Sequence, residues 1–158
     1  MSPIALDANL AYPSGVSLSS DETLLYVCDT ANHKVKRVNL TDGSITTIAG
    51  GSKLGYNGDY IEATSALLHS PYSVTENNGE VYIAVSTINT LVNTNGLQDF
   101  GNNRIRKILM NGTIITVAGN DGFGYDGDGV DATMTPLGSP THVAIFNNEL
   151  FIAVSTTY

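Results

Sequence analysis

Four carboxylates crowd one glycine-rich loop in the second half of the chain, and this is the pattern with the clearest chemical potential. The loop reads DGFGYDGDGVD, and its acidic residues are Asp121, Asp126, Asp128 and Asp131. Ca²⁺ binds about six to eight oxygen ligands and tolerates irregular loops, so these carboxylates could wrap a calcium ion. The spacing differs from that of an EF-hand, which carries a glutamate at its twelfth position.

An earlier copy of the same loop offers a structural alternative to metal binding. The segments 48–64 and 117–133 match residue by residue without a gap, which indicates the same joint of a repeated unit. The first copy has Asp59 where the second has Asp128, but it has no charge at the position of Asp121. Asp59 and Asp128 could instead cap a short helical turn and accept hydrogen bonds from loop amides. We therefore expect no resident metal or cofactor, and the calcium loop is kept as the alternative.

Basic residues fall at alternate positions in both units of the repeat. Lys34 and Lys36 lie in HKVKRV, and Arg104 and Arg106 lie in NNRIRKI. Alternate residues of a strand share one face, so the two pairs could lie side by side on neighbouring strands. Such a stripe could bind an acidic protein or a sugar phosphate, which makes these four residues candidates for partner binding. The alternative is solvated charge on an outer face.

Residues that could support catalysis are few and scattered. His142 falls at the repeat position of Ser73 and Gly15, on the first predicted strand of its unit, whereas His33 and His69 fall elsewhere in the repeat. Catalytic zinc needs three converging protein ligands, which this arrangement does not supply. We therefore predict no catalytic residue in this chain.

An aspartate recurs near the end of the second predicted strand of both units, at Asp29 and Asp99. A carboxylate at a fixed position of the repeat could act as a general base. Aspartate in a turn also accepts hydrogen bonds from the backbone amides of its own turn, and we prefer that interpretation.

Composition narrows the range of partners. Of the 158 residues, 42% are hydrophobic, which suffices for a packed core, and the formal net charge of -8 repels phosphate backbones. Nucleic acid is therefore not an expected partner. No apolar run reaches the ~18 residues of a membrane span, and the segment opens without a signal-peptide pattern. The sequons at Asn39 and Asn111 would accept glycans in an extracellular or cell-surface parent protein, and otherwise both asparagines suit turns.

The chain divides into units that each begin with Pro-x-x-Val. Short runs of alternating or β-branched residues predict four antiparallel strands per unit, separated by turn residues. We expect an N-terminal arm, two full units and the first half of a third, with ten strands in all. The alternative for the arm is the tail of an earlier unit. The boundaries are 1–12 for the arm, 13–70 and 71–139 for the full units, and 140–158 for the half unit.

Two stretches fall outside this pattern. The segment 85–98, VSTINTLVNTNGLQ, has no counterpart in the first unit and leaves the flanking strands in register, so it should project from the rim of its unit. Its apolar and uncharged character suits a partner-binding loop, and the alternative is a tolerated hairpin. The segment 61–68, IEATSALL, permits a turn or two of helix.

The ordered motifs resemble those of the NHL-repeat β-propellers. They are Pro-x-x-Val, YVCDTANHKVKRV and DGSITTIAG in the first unit, with DFGNNRIRKI and NGTIITVAG at the matching places of the second. The resemblance covers 13–158 and implies an all-β fold of four-stranded antiparallel blades. It also implies that the first strand of each blade lines a central channel. The GYNGD and GYDGD loops would then lead from the outer edge of one blade to the inner strand of the next.

Propellers close with about four to eight blades, so two and a half blades form an incomplete ring. Open blades expose apolar faces and unpaired edges, and we expect either self-association or further blades to complete the ring. We expect a non-catalytic protein-interaction or scaffold module. One alternative is part of a propeller hydrolase or lyase whose catalytic residues lie mostly in other blades, with His142 and Ser73 on the channel wall. The other is a structural spacer of a large surface protein.

Overall fold

The computed structural model describes residues 5–86, 102–122 and 124–155. Regular structure in these ranges is mainly β-strand, with single turns of 3-10 helix at Ala5–Asp7, Thr30–Asn32 and Ala63–Ser65. The strands in chain order are β1 (Val16–Leu18), β2 (Leu24–Asp29), β3 (Lys34–Asn39), β4 (Ile45–Ala49), β5 (Ile61–Glu62), β6 (Pro71–Asn77), β7 (Glu80–Val85), β8 (Arg104–Ile108), β9 (Thr113–Ala118), β10 (Ser139–Phe146) and β11 (Glu149–Ser155).

The strands form three antiparallel sheets that correspond to propeller blades. Blade 1 has the order β1-β2-β3-β4, blade 2 has the order β5-β9-β8-β7-β6, and the half blade 3 contains β10 and β11. In the β3–β4 and β8–β9 hairpins, Gly43 and Gly112 adopt φ angles of 70° and 85°, which glycine reaches without strain. The predicted all-β fold of antiparallel blades in an incomplete ring is confirmed.

The connector between blades 1 and 2 differs from the predicted helical turn and adds an eleventh strand to the ten expected. Ile61 and Glu62 pair with Ile114 and Thr113, so that β5 extends the outer edge of blade 2. Only one turn of 3-10 helix follows, at Ala63–Ser65. This short segment is too short to be stable as a helix by itself. Pairing with the edge of β9 gives its backbone groups hydrogen-bond partners instead.

Residues 5–12, predicted as an arm or as the tail of an earlier unit, have the conformation of a blade connector. The 3-10 turn at Ala5–Asp7 precedes Pro13 by the same spacing that separates Ala63–Ser65 from Pro71. The amide of Ala5 donates to the carbonyl of Gly43 at 2.8 Å. In blade 2 the equivalent bond joins the amide of Ala63 to the carbonyl of Gly112 at 3.0 Å. Blade 1 is therefore flanked on its first side by a segment of the same type that enters blade 2.

Each pair of adjacent blades buries one apolar cluster. The cluster between blades 1 and 2 includes Tyr26, Cys28, Val35, Val74, Ile83 and Ile108. The cluster between blades 2 and 3 includes Ala84, Ile105, Ala118 and Val143. Because side chains alternate across a strand, every blade presents one set of residues to the preceding blade and another to the following blade.

Part of the predicted organisation lies outside the described residues. The insertion 85–98 is described only as far as Ser86, and Asp99 is not described. The expected role of the insertion in partner binding stays a prediction. No helical segment of the described residues is long and apolar enough to cross a bilayer.

Candidate functional site

The first glycine-rich loop, residues 56–59, holds an arginine from the neighbouring blade. Arg106 lies on β8 of blade 2, and its side chain is completely buried. Its Nη2 donates to the carbonyl of Gly58 at 2.8 Å and to Asp59 Oδ1 at 3.0 Å. The guanidinium also lies 4.9 Å from the ring centroid of Tyr56. The first loop therefore contributes a carbonyl, a carboxylate and an aromatic face to one cation.

A second arginine and a threonine complete this contact between blades. The guanidinium carbon of Arg104 lies 4.0 Å from the centroid of the Tyr56 ring, and its Nη1 donates to the carbonyl of Asn102 at 3.1 Å. The hydroxyl of Thr116, on β9, donates to Asp59 Oδ1 at 3.0 Å. Because Arg104 and Arg106 are alternate residues, both reach the same face of blade 2. The first loop thus recognises an Arg-x-Arg strand together with its hairpin partner.

The buried charge of Arg106 is paired with the carboxylate of Asp59. Burial lowers the pKa of Arg106, and the nearby charge of Asp59 opposes that shift. Within the described residues, Nε and Nη1 of Arg106 are buried without a hydrogen-bond partner. A guanidinium stays protonated at neutral pH, so removing Asp59 would leave a buried charge without its counterion.

The expectation that the alternating bases form an accessible stripe is wrong for the two arginines. Arg104 and Arg106 are buried because the connector of blade 1 folds over them. The lysines differ: the Nζ atoms of Lys34 and Lys36 donate to the Gly51 carbonyl at 2.6 Å and to Thr47 Oγ1 at 2.8 Å, and both residues are half-buried. Sequence reasoning missed the role of Tyr56 and Asp59 as arginine ligands. The signal that could have found it was the repeat of the GYxGD motif beside a strand with alternating bases.

The second glycine-rich loop, residues 125–128, has the same residues in a different environment. Tyr125 is 68% exposed, and its hydroxyl is hydrogen-bonded to Asp128 Oδ1. This bond raises the pKa of Tyr125. Asp126 and Asp128 are both exposed. No strand of the described residues covers this loop as β8 covers the first loop.

The carboxylates proposed for calcium do not converge. Asp131 Oδ1 accepts hydrogen bonds from the amide of Thr133 at 2.8 Å and from its hydroxyl at 2.7 Å, and these bonds lower the pKa of Asp131. Asp128 accepts a hydrogen bond from the hydroxyl of Tyr125. Across residues 5–86, 102–122 and 124–155, no three His, Cys, Asp or Glu side chains lie close enough together to bind one metal ion. The arrangement gives no geometric support to the calcium alternative.

In the column of Gly15, Ser73 and His142, Gly15 directly precedes β1, whereas Ser73 and His142 lie on β6 and β10. A Cβ at Gly15 would lie 2.5 Å from the carbonyl oxygen of Tyr72, so β1 and β6 approach closely. The hydroxyl oxygen of Ser73 accepts a hydrogen bond from the amide of Val143 at 3.3 Å, and this bond joins β6 to β10. His142 is exposed. The first two positions of this column therefore hold adjacent blades together.

The other catalytic candidates also make structural contacts. Asp29 is buried. Its carboxylate accepts hydrogen bonds from the amide of Ala11 at 2.7 Å and from Nδ2 of Asn32 at 2.9 Å. Its partners are a side chain of its own turn and a backbone amide of the preceding connector, rather than the expected backbone amides of its own turn. The rings of His33 and His69 pack edge to face at 5.4 Å. Asp29 fixes the connector against blade 1 rather than facing a cleft.

Equivalent apolar residues differ in burial according to whether a neighbouring blade covers them. Val74 and Val143 are 3% and 5% exposed, but Val16, at the same position of blade 1, is 65% exposed. On the opposite side, Tyr26 of blade 1 is 6% exposed and Phe151 of blade 3, its counterpart, is 52% exposed. Both outer blades therefore present apolar faces of the kind that is buried between blades.

Comparisons with known proteins place the chain by fold. No family model matches it. The chain is 34% identical over 84 residues to the chloroplast protein SUPPRESSOR OF QUENCHING 1 of Arabidopsis thaliana, and the match covers 51% of this chain and 8% of the relative. The chain thus spans less than a tenth of the length of this curated relative.

Two solved structures are similar over most of the chain. An auxiliary nutrient-binding protein of Bacteroides ovatus has a TM-score of 0.60 and 18% identity, with 87% of this chain and 33% of the other covered. A protein of unknown function from Bacteroides thetaiotaomicron has a TM-score of 0.53 and 17% identity, with 90% and 44% covered. At these identities the likeness shows the fold alone, and the chain spans less than half of either structure.

Proposed function

We propose that this chain forms blades of an NHL-type β-propeller and acts as a non-catalytic module that binds other proteins or organises them as a scaffold. The observation that carries this proposal is the exposure of Val16 and Phe151, whose counterparts between blades are buried. Full burial of such a side chain stabilises an interface by about 1.5–3 kcal/mol. The two outer faces are accordingly suited to contact with another polypeptide.

The surface chemistry favours protein over nucleic acid or lipid headgroups. The net charge of -8 repels phosphate groups within the Debye length of about 8 Å at physiological ionic strength. The outer blades carry exposed apolar residues, and β11 has an edge that pairs with no other strand of the described residues. Extended polypeptides bind features of both kinds. A partner protein can bury the apolar surface and form hydrogen bonds with the backbone groups of the strand edge.

Structural contacts made by the catalytic candidates support a non-catalytic role. Asp29 accepts a hydrogen bond from the connector, and Ser73 accepts one from the amide of Val143. The ring of His33 packs against the ring of His69. In the hydrolase or lyase alternative most catalytic residues lie in other blades, and His142, which is exposed on β10, is the residue of this chain that remains as a candidate. Metal analysis of the purified protein, together with His142→Ala, separates the two: a catalytic site predicts a bound metal that is lost in the variant.

Site-specific photo-cross-linking tests the proposed function and captures a partner of any sequence. The aromatic photo-reactive residue p-benzoylphenylalanine replaces Phe151 or Leu18 on the outer faces, and it replaces Tyr60 as the control. Tyr60 is aromatic and 81% exposed, but it lies on the connector between blades 1 and 2. We expect discrete protein adducts from positions 18 and 151 in cells, and few from position 60. Equal yields at all three positions, or none at 18 and 151, contradict the proposal.

A further inference from the structure

The second loop repeats the residues with which the first loop binds arginine. Tyr125, Gly127 and Asp128 stand at the positions of Tyr56, Gly58 and Asp59. In the first loop these residues contact two guanidinium groups of the following blade. The second loop presents the same ring, carbonyl and carboxylate at an exposed surface.

A strand edge lies where the following blade would supply its arginines. In blade 2, Arg106 of β8 pairs with Ile83 of β7, and Arg104 pairs with Val85. The counterparts of Ile83 and Val85 on β11 are Ile152 and Val154. Within the described residues β11 pairs with β10 only, so its other edge offers backbone donors and acceptors.

We propose that the second loop and the outer edge of β11 together bind a β-hairpin from another polypeptide segment, whose first strand carries arginines at two alternate positions. The strand pairs antiparallel to β11, and the arginine opposite Ile152 reaches the carbonyl of Gly127 and the carboxylate of Asp128. The arginine opposite Val154 stacks on the ring of Tyr125. This inference rests on the proposed function, because it names a protein partner for the edge of blade 3.

Other parts of this chain do not fit the same place. The segments 1–4, 87–101 and 156–158 and the residue Phe123 contain no lysine or arginine. The β3 strand of a second copy carries Lys34 and Lys36, but both of its edges are already paired, with β2 and with β4. A separate hairpin meets both requirements, since one of its edges is free and its cations alternate.

The charge around the second loop favours a cationic partner. Asp121, Asp126 and Asp131 lie close in sequence to Asp128, and the structure places all four on the surface. In the first loop the positions of Asp121 and Asp126 are held by the uncharged Ser52 and Asn57. Arginine suits this surface better than lysine, because its planar group both stacks on a ring and donates to a carboxylate.

A peptide copied from the chain itself provides the probe. Residues 102–119 contain β8, β9 and their turn, and hence both arginines that the first loop binds. This peptide is titrated into the full chain, labelled with ¹⁵N, and the amide shifts of 124–128 and of Glu149–Ser155 are followed. We expect saturable shifts in both regions, with few changes along β1. A peptide with both arginines replaced by glutamine should bind about tenfold more weakly.

Two variants of the chain separate specific recognition from general attraction. Asp128→Asn should weaken peptide binding about tenfold, because it removes the paired carboxylate. Asp121→Asn removes the same charge from the same loop, and its effect should be less than about twofold. Both residues are exposed, so both variants should fold, which circular dichroism checks.

Several outcomes overturn the inference. Equal weakening by Asp128→Asn and Asp121→Asn means non-specific attraction. Shifts along β11 that are insensitive to the peptide arginines mean edge pairing without arginine recognition. Self-association of the chain that Asp128→Asn abolishes, without peptide binding, assigns the surface to a second copy. None of these results affects cross-linking at Leu18 on the opposite face, so failure here is distinguishable from failure of the proposed function.

Discussion

Asp59 and Asp128 occupy the same place in a repeated motif, yet their surroundings give them different roles. Asp59 is an acceptor for a buried guanidinium and for Thr116, whereas Asp128 is exposed and bonded to Tyr125. The difference comes from the strand that covers the first loop, not from the loop sequence. A pair of matched substitutions can therefore measure what the covering strand contributes.

Asp59→Asn should destabilise the chain by about 2 kcal/mol, because it leaves the buried charge of Arg106 without its counterion. Because Asp59 is partly exposed, solvent screening lowers this cost. Urea denaturation followed by circular dichroism measures the change in the free energy of unfolding. The matched control is Asp128→Asn, which removes the same carboxylate from an exposed loop and should leave the midpoint unchanged. Equal midpoints for the two variants would show that the contact with Arg106 does not stabilise the fold.

Cys28 should be unreactive in the folded chain. It lies in the apolar cluster between blades 1 and 2, and burial raises the pKa of its thiol to about 12. Thiol reagents attack the thiolate, so both the low thiolate fraction and the lack of access slow the reaction. Ellman's reagent at pH 8 should report almost no free thiol in native protein and one thiol per chain in denaturant. Rapid reaction of the native protein would mean that blades 1 and 2 separate readily.

The strands are the elements that sequence reasoning predicted best. Alternating and β-branched runs indicated β1 to β4 and their counterparts in blade 2, since side-chain alternation and turn residues are local signals. The strand β5 was not predicted, because Ile61 and Glu62 become extended only by pairing with the distant edge of β9. For residues 5–12 the sequence left an arm and the tail of an earlier unit as alternatives for the same reason: the conformation of this segment depends on contacts with blade 1.

Close packing of the inner strands makes a specific demand on Gly15. A Cβ at this position would meet the carbonyl oxygen of Tyr72 at 2.5 Å and the Cα of Ser73 at 2.9 Å, and both are backbone atoms that cannot rotate away. We expect Gly15→Ala to destabilise the chain by about 1–3 kcal/mol, because β1 and β6 must move apart. Ser17→Ala, on the strand β1 that follows Gly15, is the control, and urea midpoints measure both. Identical midpoints would show that the inner strands are not packed as closely as described.

The arrangement of blades decides which polar residues are accessible, and sequence patterns do not contain this information. Arg104 and Arg106 alternate as solvent-facing bases do, but the connector of another blade covers them. Predicting their burial requires the contact between two units of the repeat. Conversely, Val16 has the pattern of a core residue and is exposed, because nothing in the described residues lies on that face of blade 1.

Sedimentation velocity over a range of concentrations tests most directly whether the outer faces are docking surfaces. Leu18 lies on the exposed face of β1 and Leu40 in the outer turn of blade 1, and both are 48% exposed. We predict that the chain associates as its concentration rises, that Leu18→Glu shifts it towards the monomer, and that Leu40→Glu has no effect. A folded monomer of 16.7 kDa at every concentration, unaffected by either substitution, would contradict the account.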